Sequence, residues 1–227
     1  MTATEITTIK SKIASVLITN AGIAPTRTAT LLPMKSLQGK LYEADVLATI
    51  CENLVRHEGV TITLAGGSHL MLKQKGGAID RNYPYFQVWN GRTLFCEIFT
   101  DVYFDTLSYH IKGSPLPKVN GDYHELDIAL LKPNLTGHPK HSDILLAIEC
   151  KNTSIKKSII RELLGFRREL SLYHKPSIPT NFKNWPITLI NADPNSVHML
   201  YCSDYRINRY STNCAEFGIL LQHHRMR

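Results

Sequence analysis

The stretch Ile144–Lys151, "ILLAIECK", ends an apolar run on an acid, a thiol and a base, where turn residues would ordinarily follow. A short run of branched apolar residues of this kind predicts a buried strand. Side chains alternate faces along a strand, so Glu149 and Lys151 share one face and Ile148 and Cys150 take the other. The stretch "YHELDIALLK", Tyr123–Lys132, repeats the pattern, with Glu125 and Asp127 on one face and Leu126 and Ile128 opposite. Between them "PNLTGHPKHSD" reads as a loop of about a dozen residues, which makes an antiparallel pairing natural. That pairing can bring Asp127 beside Glu149.

Helical and strand periods extend outward from this pair. A long helix is predicted from Ser154 to Tyr173, with Ile155, Ile159, Leu163, Phe166, Leu170 and Tyr173 as its core stripe. Upstream, "YFQVWNGRTLFCEIFTDVYF" reads as a hairpin with Asn90-Gly91 in a two-residue turn. "VTITLAGG" precedes it as a strand, and a helix from Leu41 to His57 is closed by Gly59. Ile6, Ile9, Ile13, Val16 and Leu17 mark a first helix, followed by a Gly- and Pro-punctuated loop. "WPITLINAD", "HMLYCSDYRI" and "FGILLQ" are later strands. The order predicts an α/β fold with a central mixed β-sheet flanked by helices. Residues 1–40 read as an accessory helix and loop, and residues 41–227 as a single domain.

Composition narrows the function classes. Hydrophobic residues make up 43% of the 227, enough for a core. The formal charge of +7 favours an acidic partner, nucleic acid above all. Cys51, Cys96, Cys150, Cys202 and Cys214 are scattered, with no C-x-x-C pair, which argues against a disulfide framework and a zinc site. "IASVLITNAGIA" is too short and too polar to span a bilayer, and the acid in "MTATEITTIK" is unlike a signal peptide. The expectation is a cytoplasmic protein.

Two carboxylates converging near an ammonium suit a hard divalent cation, Mg²⁺ with Mn²⁺ as a substitute, which takes oxygen ligands and substrate phosphates. Such a cation neutralises a phosphodiester and activates water, and a nearby lysine adds charge for the transition state.

"ELD", then after a loop "ECK", then a helix, resembles the PD-(D/E)XK superfamily of nucleases, also called restriction-endonuclease-like. The resemblance is carried by residues 123–173 and is compatible with 41–193. Leu126 stands where the family name implies proline. The resemblance implies Asp127 and Glu149 as metal ligands and Lys151 as the catalytic lysine. It also implies a third acid from the helix before the sheet. Glu43 falls on the apolar stripe of that helix with Val46, Leu47, Ile50 and Leu54, whereas Asp45, Glu52 and Arg56 fall opposite. Burying such an acid needs compensation, so Glu43 is the candidate; Glu97 on the hairpin competes, and Glu125 is a further candidate ligand.

In the helix after "ECKN", Lys157, Arg161 and Arg168 line one side with Lys156 and Arg167 flanking, a candidate phosphate track. The alternative is a solvated face paired with Glu162 and Glu169. Cys150 reads as a packing residue. Ser68 and His69 lack a nucleophile elbow, Gly76-Gly77 lacks the rest of a phosphate loop, "HPKHSD" is a loop with basic residues, and His223-His224 reads as solvated.

The expectation is therefore a Mg²⁺-dependent nuclease, acting on DNA rather than RNA. Restriction, antiviral defence or DNA processing is implied by the resemblance, with a homodimer or a partner protein for targeting. Alternatives are an RNase, a catalytically silent nucleic-acid-binding or scaffold domain with the same fold, and a non-nuclease α/β enzyme using Glu149 and Lys151 as acid and base.

Overall fold

The computed structural model describes residues 2–23, 37–66 and 75–226. Ser68, His69 and most of the loop before Leu37 lie outside them. The first helix, α1 (Ala3–Ala21), opens with a reciprocal cap: Thr2 Oγ1 accepts from Glu5 N at 3.2 Å and Glu5 Oε2 accepts from Thr2 N at 2.7 Å. It buries Ile9, Ile13, Leu17 and Ala21, a spacing of four that gives one face, and stops at Gly22 in the left-handed region. That face packs on α2 (Leu37–Asn53), which continues as a π-helical turn to Glu58 and ends at left-handed Gly59.

On the expected polar face of α2, Glu52 and Arg56 pair near the surface at 2.9 Å, but Asp45 is a correction. Asp45 is wholly buried and pairs with His224 Nε2 at 2.9 Å. The helix is sandwiched between α1 and the sheet, so it needs apolar residues on two sides. His224, expected in solvent, is consumed by this pair.

Strands β1 (Thr61–Ala65), β2 (Tyr85–Asn90), β3 (Thr93–Asp105), β4 (Tyr123–Leu131), β5 (Ile144–Lys151), β8 (Val197–Cys202) and β9 (Ile219–His223) form a seven-stranded sheet in the order β1-β2-β3-β4-β5-β8-β9. The fold is α/β with a mostly antiparallel mixed sheet flanked by helices. β4 is central, and β5 beside it is antiparallel to β4 and parallel to β8. Strands buried on both faces read as continuous apolar runs, which is why "ILLAIEC" is buried throughout.

Helices α1 and α2 cover one face, packing on Ile62, Phe86, Val88, Ile98, Ile128 and Ile148. The other face carries α4 (Lys157–Leu170) over Phe99, Ala129, Leu131 and Ala147, with Leu163 against Leu200. Short α3 (Leu107–Ile111) and α5 (Ser211–Ala215) lie at the rim.

Three local expectations are revised. The hairpin turn is Gly91-Arg92, since Asn90 pairs with Thr93; a bulge between Val88 and Trp89 sets that register, and Gly91 supplies the positive φ of 58°. Helix α4 stops at Leu170, where Ser171 turns extended and its N–H donates to Arg167 O at 3.1 Å. Tyr173 thus belongs to β6 (Leu172–Pro179), which pairs with β7 (Leu189–Asp193) in a separate ribbon.

The third revision concerns pleat. Phe99, Val102 and Phe104 pack in one cluster with Leu126, whereas Ile128 packs in the other. Strict alternation would separate Phe99 from Val102 and keep Leu126 with Ile128. The switch occurs at Asp101, whose φ of 49° is left-handed in mid-strand, a conformation aspartate tolerates better than most residues. The β3–β4 ladder pairs Thr100 with Ile128 and Val102 with Leu126, leaving the rung between Asp101 and Asp127 unmade.

Candidate functional site at the tip of the central strands

The β4–β5 ladder ends at Ile128 opposite Ile148, so Asp127 stands one step further on, across from Glu149. There the side chain replaces the ladder: Asp127 Oδ2 accepts from Cys150 N at 2.7 Å. Ile148 and Cys150 pack toward α2. Glu149 and Lys151 face α4, lining a small cleft with Ile159, Glu162 and Phe166. Lys151 Nζ lies 3.3 Å from Glu149 Oε2. Glu149 is 6% exposed, and its Oε1 has no hydrogen-bond partner.

Burial pushes the Glu149 carboxyl up to about 8, with the Asp127 charge adding and Lys151 opposing. Burial works against the Lys151 ammonium, but Glu149 and Asp127 outweigh it and hold its pKa above the ordinary lysine range. These two groups therefore depend on each other and on Asp127.

Glu43 reaches the same aspartate from the α2 side. Burial raises it to about 7; Lys40, 2.6 Å away, opposes the rise and Asp127 adds to it. Lys40 also pairs with Asp101. Asp101 is 1% exposed, its Oδ2 lacks a partner, and burial raises it to about 6 against the pull of Lys40. The charge of Asp127 thus bears on two acid groups, Glu43 with Asp101 and Glu149 with Glu162. Lys40 and Lys151 are their counter-cations.

Asp101 and Lys40 were not singled out by the sequence. A signal existed for the first: aspartate is depleted in strands, and Asp101 interrupts the run "CEIFTDVYF". For Lys40 the local signal was its helical spacing of three from Glu43, while its second partner, Asp101, is sixty-one positions away.

The competing acid, Glu97, is engaged elsewhere. Its carboxylate accepts from Arg81 Nη1 and Nη2 at 2.7 and 2.6 Å and from Asn134 N at 2.9 Å. Glu125 lies beside Gly76, where an added Cβ would approach its carboxylate to 2.4 Å, and its charge contributes to the rise at Asp101. All five cysteines are free and buried, Cys150 among them.

Lys156, Lys157, Arg161 and Arg168 are exposed, and Lys157, Arg161 and Arg168 form no ion pair among the described residues. Glu169 instead accepts from Ser108 N at 3.0 Å. Arg167 is a correction: it is buried, because its place on the helix faces β9's leading turn, where its Nε donates to Phe217 O at 2.9 Å. The placement of the basic line is also corrected. At about 100° per residue, Lys157, Arg161 and Arg168 fall within about 40° of one another, but about 100–200° from Ile159, Glu162 and Phe166, which border the acids. The line therefore runs along the outer side of α4.

Oxygen donors with unfilled acceptor positions suit a hard cation: Asp127, Glu149 and Glu43 are carboxylates, and Glu149 Oε1 is orphaned. Among the described residues no three His, Cys, Asp or Glu side chains are already drawn into a metal cage. Mg²⁺ is commonly held by only one or two carboxylates with waters and phosphate oxygens, so the donor set fits. No helix among the described residues is long and apolar enough to cross a membrane. Comparison with protein-family models, curated proteins and solved structures finds no match to this chain.

Proposed function

We propose that the chain is a Mg²⁺-dependent nuclease of the PD-(D/E)XK, restriction-endonuclease-like kind, with DNA as its substrate. The observation carrying this reading is the meeting of Asp127 with Glu149 and Lys151 where β4 and β5 part, immediately before α4. Asp127 and Glu149 would hold the cation, with Glu43 contributing from α2. When bound, it would supply charge neutralisation at the scissile phosphodiester and activation of water.

The chain's own residues divide the remaining work. Lys151 holds a positive charge beside Glu149, where it would orient the attacking water and offset negative charge developing on the phosphate. Burial by Leu163 and Phe166 keeps bulk water from the acids. Lys156, Lys157, Arg161 and Arg168 would hold the backbone of a nucleic acid along the outer side of α4. Cleavage of both strands would call for a second copy of the chain. Restriction or antiviral defence is the setting this reading favours.

Digestion of plasmid, linear DNA and RNA tests the reading, with Mg²⁺, Mn²⁺ or EDTA present. The expected outcome is metal-dependent DNA cleavage that disappears in EDTA and in Glu149→Gln. Undiminished cleavage by purified Glu149→Gln protein would end it. Salt-sensitive binding without any cleavage would favour the silent nucleic-acid-binding domain instead.

A further inference from the structure

The C-terminal end of α4 holds a second uncompensated charge, opposite in sign to the acids at the strand tips. Arg167 is 4% exposed. Its Nη1 donates to Ser196 Oγ at 3.3 Å in addition to the Nε bond to Phe217 O, and Nη2 has no partner. No carboxylate pairs with it among the described residues. Burial alone pushes the guanidinium down to about 9. The neighbouring His198 offers no relief: it is wholly buried, and desolvation lowers its pKa to about 3, with the Arg167 charge adding to the shift. A buried charge left unpaired is among the costliest features a fold can carry.

Arg167 lines a cleft of about 330 Å³, at the lower end of the range for small-molecule sites. Ser171 lines it too; this hydroxyl is buried and also without a partner. The rest of the wall is largely apolar: Leu164, Leu172, Tyr173 and Phe217. All four are among the exposed large apolar side chains of the protein, and they converge on this one opening. The Tyr173 and Phe217 rings stand 5.9 Å apart at 59°. Arg168, exposed and free of ion pairs, is at the rim. Glu216 is beside this region but pairs with Lys175. Arg167 Nη2 and Ser171 Oγ lie sealed just beneath this apolar wall, so a small turn of either side chain would present an unpaired donor to the anionic end of an amphipathic ligand.

We propose that this cleft binds a small organic anion, a carboxylate or phosphate monoester carried on an aromatic ring. The anionic oxygens would neutralise Arg167 and accept from Ser171, and the ring would lie against Leu164, Leu172 and the Tyr173–Phe217 pair. Arg168 would assist at the mouth. This site is separate from the acids at the strand tips and does not depend on the nuclease reading.

Isothermal titration of the full chain in EDTA tests it with four probes: phenyl phosphate, benzoate, inorganic phosphate and phenol. Phenyl phosphate or benzoate is expected to bind saturably at one site, at least about tenfold tighter than either half-probe, a difference of about 1.4 kcal/mol. The first two probes distinguish a phosphate from a carboxylate ligand. Arg167→Met keeps the volume and removes the charge; binding should be lost while the melting temperature holds or rises. Should that variant fail to fold, Leu164→Glu on the exposed rim sets an internal carboxylate at the mouth and should weaken binding about tenfold. The proposal is overturned if neither ring-bearing anion binds, if phenol or inorganic phosphate binds as tightly, or if the folded variants bind like the native chain.

Discussion

Glu97 and Glu149 lie in the same sheet, both almost fully buried, yet their surroundings differ in kind. Glu97 receives three hydrogen bonds, two from an arginine that itself lies over Tyr85 and Phe99 at 5.1 and 5.8 Å. Nothing is left for a ligand to supply. Glu149 has one 3.3 Å contact with Lys151, an orphan oxygen and the like charge of Asp127 nearby. A satisfied buried acid holds structure together. An unsatisfied one marks a place where stability has been given up, as functional sites do.

The largest effect should separate the two acids by activity. Glu149→Gln and Lys151→Ala should each lower the cleavage rate at least about 100-fold, whereas Glu97→Gln, assayed where it remains folded, should cleave at the native rate. Metal should still bind to Lys151→Ala, because that change leaves every carboxylate in place. Equal losses at both acids would erase the distinction.

Stability should sort them in the opposite order. Arg81→Ala strands Glu97 without its partner and should cost about 3–5 kcal/mol in urea unfolding. Glu149→Gln removes a charge that is poorly compensated and should be neutral or stabilising by up to roughly 1–3 kcal/mol above pH 8.

The pH dependence follows from the same asymmetry. Glu149 sits near 4.5 in the unfolded chain and is raised to about 8 in the folded one, and Glu43 to about 7. The folded state then holds more protons than the unfolded between these values, so stability falls as pH rises. The contribution is complete below pH 4.5 and gone above pH 8. Unfolding measured from pH 5 to 9 should show this decline, and Glu149→Gln should flatten it.

A smaller effect concerns the outer side of α4. Replacing Lys157, Arg161 and Arg168 by alanine should reduce the log–log salt slope of duplex binding by roughly 0.9 for each phosphate that is no longer neutralised. An unchanged slope would mark the line as a solvated face. Cys150→Ser should change least in cleavage, at a modest loss of stability from a hydroxyl on the packed face.

Much of this arrangement could be read from the residues in order. The apolar runs and the loop between them gave the β4–β5 pairing, and period two gave the shared face of Glu149 and Lys151. What escaped was non-local. The switch of faces at Asp101 needs a left-handed backbone that no period reveals, and it moved Leu126 and Ile128 apart. Burial of α2 from two sides overrode its polar stripe at Asp45 alone, drawn inward onto His224 from the far end of the chain. Arg167 looked like one more base on a basic helix; only the approach of Phe217 shows why it is buried. Strand β6 was hidden because Tyr173 continues the apolar period of α4.

The central claim is that the acids at the strand tips form a cation site, and Mn²⁺ titration without nucleic acid tests it most directly. At pH 7, in buffers of different ionisation enthalpy, the native chain is predicted to bind Mn²⁺ saturably and to release protons, since Glu149 and Glu43 must ionise to take part. Glu149→Gln should lose that binding and Glu97→Gln, kept cold enough to remain folded, should retain it. A native chain that binds no Mn²⁺, or a Glu149→Gln chain that binds it equally tightly, would contradict the account.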